Sequence, residues 1–334
     1  MRSALRFRWC TAIGLRVSAL SVLILHLTSA GGIAGGNPPF ILQWGGPGSG
    51  LFSASNNSLA HSPTGEVYVL ETGTGSERVQ LFTGDGMFIT RWGSFGTGPG
   101  EFGPLTNAIT CGPDGSVYVA DVRIQKFTPM GAYVSQWGSY GSGDGQFAGC
   151  GGMATDAAGN LYVADEGNDR IVSFSSTGSF LGNWGVSGTG PGQLLNPFGI
   201  AVESDGNVLV SDGSPRLQRF SALGAYLGTL ATGGAGEGQV GCCPLQLAVD
   251  PDRRIFVADW QNNRIEVFAP DGSFGAQWGT LGTGPGQFNG PTGVAADADG
   301  NVFVFDRENQ RVQKFGYVTP ARPTSWGRIK AIYK

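Results

Sequence analysis

Tryptophan followed by glycine recurs along this chain at a nearly fixed interval, and that period restricts the fold more than any other feature. The pair falls at Trp44, Trp92, Trp137, Trp184 and Trp278, and again at Trp326, with Leu230 at the matching place in the one double-length gap. The steps are 48, 45, 47, 46, 48 and 48 residues. A period in the forties with about four short strands per unit points to a β-propeller, because one such unit leaves a sheet face that only the next unit can bury.

The last full unit shows the grammar. A short apolar run from Gly293 to Ala296 is followed by an Asp-Ala-Asp-Gly turn, then by alternating Asn301 to Asp306, a polar loop, and Arg311 to Phe315. Alternation of period two marks half-buried or buried strands. In earlier units a fourth strand follows an Asp-Gly or similar turn and ends at the tryptophan, as in Ser273 to Trp278. Six second strands are visible, at Val67 to Leu70, Val117 to Ala120, Leu161 to Ala164, Val208 to Val210, Ile255 to Ala258 and Val302 to Phe305. With 58 glycines in 334 residues and only 14% charged side chains, the composition suits an all-β chain rich in turns. The expected fold is a six-bladed β-propeller of four-stranded antiparallel blades over residues 40–318. A signal peptide (1–30), a linker (31–39) and a basic tail (319–334) complete the chain.

The segment Gly159 to Ile171, Gly-Asn-Leu-Tyr-Val-Ala-Asp-Glu-Gly-Asn-Asp-Arg-Ile, and its counterpart Ile255 to Ile265 carry a further resemblance. The pattern is similar to the NHL repeat and extends over about residues 40–316. The second unit shortens its loop (Asp121 to Ile124), the first exchanges Asp for Glu71, and the fourth has Gly213-Ser214-Pro215 in place of Asn. Enzymes on related propellers include the amidating lyase of peptide hormones and paraoxonase-like calcium lactonases. The first kind requires several metal-ligating histidines. After leader removal only His61 remains here, too few for that zinc site. His61 is read as an ordinary surface or turn residue.

Six core triplets meet seven candidates for an outer strand, since Phe40 to Trp44 precedes the first triplet and Thr324 to Ile329 follows the last. A ring needs six. Residues 40–44 are expected to complete the sixth blade beside 311–315, which would leave the tail outside.

Arg2, Arg6, Arg8 and Arg16, an apolar run from Val17 to Leu27, and small residues at Thr28-Ser29-Ala30 read as an export signal. A secreted, periplasmic or envelope protein follows as an expectation, with no membrane span once the leader is cleaved, and a monomer. Removal of those four arginines leaves 17 basic against 25 acidic groups. Such a body repels phosphate backbones, so no nucleic-acid partner is expected.

Several local patterns invite chemistry. Gly96-x-Gly98-x-Gly100 and Gly282-x-Gly284-x-Gly286 look like phosphate cradles, but they recur, lead into strands and lack the Lys-Ser/Thr of a phosphate loop. Phe102, Phe147 and Phe288 after these loops are read as packing between blades. Asp297-x-Asp299-Gly300-Asn301 opens like a calcium loop without its closing Glu, so it reads as a turn. No cofactor is expected; calcium has no motif behind it. The pairs Asp165/Arg170, Asp259/Arg264 and Asp306/Arg311, with Asp212/Arg216 as a variant, are read as structural clips, because an active site would break the repeat. Cys242-Cys243 leaves two alternatives open, a vicinal disulfide or buried free thiols. Interblade loops and second-to-third loops share one face of such a propeller. Non-repeating residues expected there as ligand contacts are Trp260, Phe198, Arg123, Asp169, Arg216, Gln261 and Glu308.

The functional expectation is a non-catalytic binding or scaffold module that recognises a protein, peptide or glycan through this loop face. The alternative is a calcium-dependent hydrolase or lyase at the channel mouth, which requires three or more convergent Asp, Asn or Glu side chains.

Overall fold

Each repeat folds into one antiparallel sheet, and its second strand is the most apolar because a neighbouring blade covers each of its faces. In the third blade, for example, all of Leu161–Asp165 is buried. The computed structural model of the protein describes residues 37–47, 52–53, 57–73, 75, 77–242 and 246–316, all within the unit Gly35–Lys334. Residues 1–36, the tail (319–334) and Cys243 lie outside the described residues.

From the axis outwards, blade 1 is Asn57–His61, Glu66–Glu71, Arg78–Thr83 and Phe88–Trp92. Blade 2 is Ala108–Cys111, Val117–Ala120, Ile124–Phe127 and Tyr133–Trp137. Blade 3 is Cys150–Thr155, Leu161–Asp165, Arg170–Phe174 and Phe180–Trp184. Blade 4 is Ile200–Val202, Val208–Asp212, Arg216–Phe220 and the longer Tyr226–Gly233. Blade 5 is Leu247–Val249, Ile255–Asp259, Arg264–Phe268 and Phe274–Trp278. Blade 6 is Pro291–Ala296, Asn301–Asp306 and Arg311–Gly316, and its outer strand is Phe40–Gly45 from the other end of the chain. The closure expected from the strand count is the one observed. Trp44 pairs with Val312 and Gly45 with Arg311, so the sheet is completed across the start and end of the ring.

Among the described residues, six apolar clusters each straddle two adjacent blades. One joins Tyr68, Leu70 and Leu81 of blade 1 to Phe102, Val119 and Phe127 of blade 2. The core is thus a ring of interfaces, and no blade owns its own.

The tryptophan period has a packing cause. The ring of Trp92 lies on Gly131, in the third-to-outer turn of the next blade, so closely that a Cβ there would sit 2.3 Å from the indole. Trp44 on Gly86, Trp137 on Gly178 and Trp184 on Gly224 repeat the contact. Gly131 also has φ +84°, a left-handed turn conformation that favours glycine. The glycine after each tryptophan has a separate partner: a Cβ on Gly93 would approach the Phe102 ring to 2.3 Å. Phe102, Phe147 and Phe288 are fully buried, as expected for packing between blades.

Two glycines with similar φ separate the two effects. Gly206 has φ +86° with open space beside it. Gly206→Ala is expected to lose about 1 kcal/mol from backbone strain alone, whereas Gly131→Ala adds a clash and should lose about 2–4 kcal/mol. Urea unfolding of the two variants checks this; equal losses would show that the tryptophan contact is not tight.

Candidate functional site

The strand order creates two faces. One carries the interblade loops and the second-to-third loops; the other carries the remaining turns. On the first face an arginine opens the third strand and ties three segments together. Arg170 donates from Nε to Asp165 Oδ2 at 2.8 Å and from Nη2 to the carbonyls of Gly143 and Gln146. Arg311 makes the same bond to Asp306 at 2.8 Å, and donates to the carbonyls of Thr283, Gly284 and Gln287 and to Gln43 Oε1 of the closing strand. The partner carboxylate accepts an amide from beyond the loop: Ala148 N–H reaches Asp165, and Asn289 N–H reaches Asp306. Glu71 and Arg78 keep this pairing in blade 1. The clip at Asp259/Arg264 is looser, at 3.4 Å.

This geometry corrects two expected ligand contacts. Arg216 donates to Asp212 and to the carbonyls of Gly188, Thr189, Gly190 and Gln193. Arg123 pairs with Asp121 at 3.5 Å and donates to Gly98 O, Glu101 O and Gln136 Oε1. Both belong to the clip series because their side chains are spent on their own loops. Asp169 is also internal: left-handed at φ 54°, it accepts from Asn196 N and Ser187 Oγ, both at 2.6 Å, across to the next blade. Gln261 accepts from Cys242 N, and exposed Glu308 pairs with Arg307 at 3.5 Å. Trp260 lies over Gly290 of the next blade, yet 36% of it stays exposed.

More exposed are three side chains that the sequence reading missed. Five interblade loops close with a short parallel bridge, at Phe95/Phe102, Tyr140/Phe147, Ser187/Leu194, Gly233/Val240 and Leu281/Phe288. Phe95, Tyr140 and Leu281 are 57%, 65% and 65% exposed. Ser187 and Gly233 fill the same position in two other loops, so the backbone there does not need an apolar residue. The signal was available two positions past each Trp-Gly.

The axis holds a channel of about 290 Å³ lined by the six inner strands. The inner strands present two levels of mostly small residues. One level is Ser58, Ala108, Gly152, Gly199 and Gly293, with Gln246 as the exception; the other is Ala60, Thr110, Ala154, Ala201, Ala248 and Ala295. Inner strands are sheet edges, so their free N–H and C=O groups face the channel. Gln246 reaches across two blades: its Nε2 donates to Ser58 Oγ at 2.8 Å and its Oε1 accepts from Val294 N at 3.0 Å. Phe198 lines the channel above Gly151 and Gly152, where any Cβ would collide with its backbone.

His61 closes the opposite end, which corrects its reading as a surface or turn residue. It stacks on Phe303 at 5.3 Å, and its Nε2 makes no hydrogen bond. Burial pushes the imidazole below its ordinary pKa, against the pull of Asp297 and Glu66. Asp297 itself accepts from Asp299 N, Asn301 N and Asn301 Nδ2, as a turn carboxylate does. Among the described residues no Asp or Glu lines the channel, and no three His, Cys, Asp or Glu side chains converge. Cys111 and Cys150 are free thiols, and burial raises both well above the usual range. Cys242 is exposed; its pairing with Cys243 falls outside the described residues.

Fold and site together define a β-propeller with a face of loops above a closed ring of six blades. The NHL repeat family model matches residues 242–268 and 288–315, in the fifth and sixth blades. A comparison with curated proteins returned no match. Among solved structures the chain is similar to selenomethionine-substituted virginiamycin B lyase from Staphylococcus aureus. That likeness has a TM-score of 0.52 at 14% identity and covers 78% of this chain and 80% of that one. A streptogramin B lyase structure gives a TM-score of 0.56 at 12% identity, covering 82% of this chain and 96% of that one. At these identities the likeness shows the fold. It also overturns the expectation that the chain is not an enzyme, because regular propellers of this shape include lyases.

The clip assignment is tested by Arg123→Ala and Arg216→Ala. Each leaves a carboxylate and several carbonyls without a donor, so each should lose about 2–4 kcal/mol in urea unfolding. Unchanged stability would return these arginines to the set of ligand contacts.

Proposed function

We propose that the chain is an exported NHL-repeat propeller whose loop face recognises a peptide or protein segment above the central channel. The observation that carries this is the exposure of Phe95, Tyr140 and Leu281 at a loop position that serine and glycine fill elsewhere in the ring. Folding does not require these side chains, and exposed aromatic groups on rigid loops suit contact with a partner. Trp260 adds a partly exposed indole on the same face. Peptide is favoured over glycan because the exposed groups are apolar, while Arg123, Arg216 and Asp169 are committed within the fold.

Panning a displayed random peptide library on the purified propeller should return binders that lose about tenfold or more in affinity against the Phe95→Ser/Tyr140→Ser variant. The thermal unfolding of that variant should match the parent. Binders indifferent to both substitutions would remove the loop face as the recognition surface.

A second reading places lyase chemistry in the channel. It rests on the lyases that share the fold and on His61, whose free Nε2 and lowered pKa suit a neutral base. Incubation with streptogramin B, followed by mass spectrometry, tests the substrate those proteins are named for. The reading expects consumption that disappears in His61→Ala; an intact substrate excludes streptogramin B.

A further inference from the structure

The third strands carry a glutamine two residues after the clip arginine in blades 1, 2, 4 and 6; Gln80 of blade 1 donates to Glu71, and the other three make one pattern. Gln125, Gln218 and Gln313 accept the amides of Gly100, Gly192 and Gly286 through Oε1. Their Nε2 groups donate to the carbonyls of Glu101, Gln193 and Gln287. Blade 5 has Glu266 at this position, fully buried, and neither of its carboxylate oxygens has a hydrogen-bond partner. A carboxylate cannot make the second bond, because the loop offers it a carbonyl; a protonated carboxyl can.

The neighbouring distances place Arg264 nearer Glu266 than Asp259. Arg264 Nε lies 2.7 Å from Glu266 Oε1 and 3.4 Å from Asp259, and the clip distance is 2.8 Å in blades 3 and 6 and 3.5 Å in blade 2. Asp259 is the hub of the local loops: it accepts from Gly241 N on the interblade loop and from Asn262 N and Nδ2 beside Trp260. Opposite Glu266 in the register is Gln277, whose buried Oε1 has no donor.

We propose that Glu266 is a proton-operated latch on the loop face: protonated, it stands in for the glutamine of the other blades and returns Arg264 to Asp259; ionised, it draws Arg264 away and loosens the Gly234–Cys242 loop and the Trp260 hairpin. The groups facing it are Arg264 on its own strand, Asp259 on the second strand and Glu237 on the interblade loop, with uncharged Gln277 on the outer strand. Burial, the largest influence, raises its pKa to about 7, while Arg264 pulls it down. A folded pKa above the ordinary 4.5 means that folding favours the proton, so the contribution is full below about pH 4.5 and fades as pH rises through 7. The consequence for ligand binding rests on the loop-face reading; the latch itself does not.

Hydrogen exchange, corrected for intrinsic rates, tests the latch without any ligand. Between about pH 5 and pH 8, protection of the Gly238, Gln239 and Gly241 amides in the parent should fall on the order of tenfold. Glu266→Gln should hold the same protection at both pH values, and Glu266→Val, which copies Val172 of blade 3, should also abolish the pH dependence. Blade 6, with Gln313, is the internal control: Gly284 and Gly286 should not change. Equal pH dependence in parent and Glu266→Gln, or an equal fall in blade 6, would overturn the latch while leaving the peptide-panning result untouched.

Discussion

The arginine at the head of the third strand is the interaction on which the ring depends. A propeller must turn its chain between blades through loops with little side-chain material, and glycine-rich loops expose carbonyls that find no strand partner. Arg170, Arg216, Arg264 and Arg311 each collect two or more of those carbonyls with one planar group. The guanidinium suits this role because its donors form a fixed fork. The paired carboxylate neutralises the buried charge and takes the next free amide along the loop. Removing either partner leaves several polar groups stranded, so the pair persists in every blade although the loop lengths differ.

Apolar packing and ring closure act through the same loops. Trp44 reaches Gly86 only because Phe40–Gly45 pairs with Arg311–Gly316, and Gln43 gives the Arg311 clip one more acceptor. The closing strand is therefore bound through backbone pairing, an indole contact and a polar clip. The ring needs all three, since the two strands are joined by neither a turn nor a short loop.

Much of this was legible in the sequence because it repeats. Period, strand count, the Asp/Arg clips and closure by residues 40–44 follow from patterns that recur six times and so average out local noise. The candidate site was harder to read, for a physical reason. Arg123 looked non-repeating because its loop is shortened, and only its bond to Gly98 shows that it does the repeating work, while Arg216 carried both readings until its bond to Gly190 decided between them. Phe95 and Tyr140 looked like ordinary loop residues, since exposure depends on which way a loop closes. The position of His61 depended on which residues of the inner strand stand at the channel end.

The departures from symmetry concentrate around blade 5. Leu230 replaces a tryptophan against Gly272, with its side chain 3.0 Å from a Cβ built there, a looser fit than the indoles make. Gln246 reaches over Gly293 to blade 1 where the other inner strands place Ser, Ala or Gly. Trp260 rises beside Gly290, and Glu266 divides Arg264 between two carboxylates. Each change weakens or redirects a contact that the other blades keep. A symmetric scaffold tolerates this because the interfaces between the other blades hold the ring in place, so function in such a fold is expected where repetition fails.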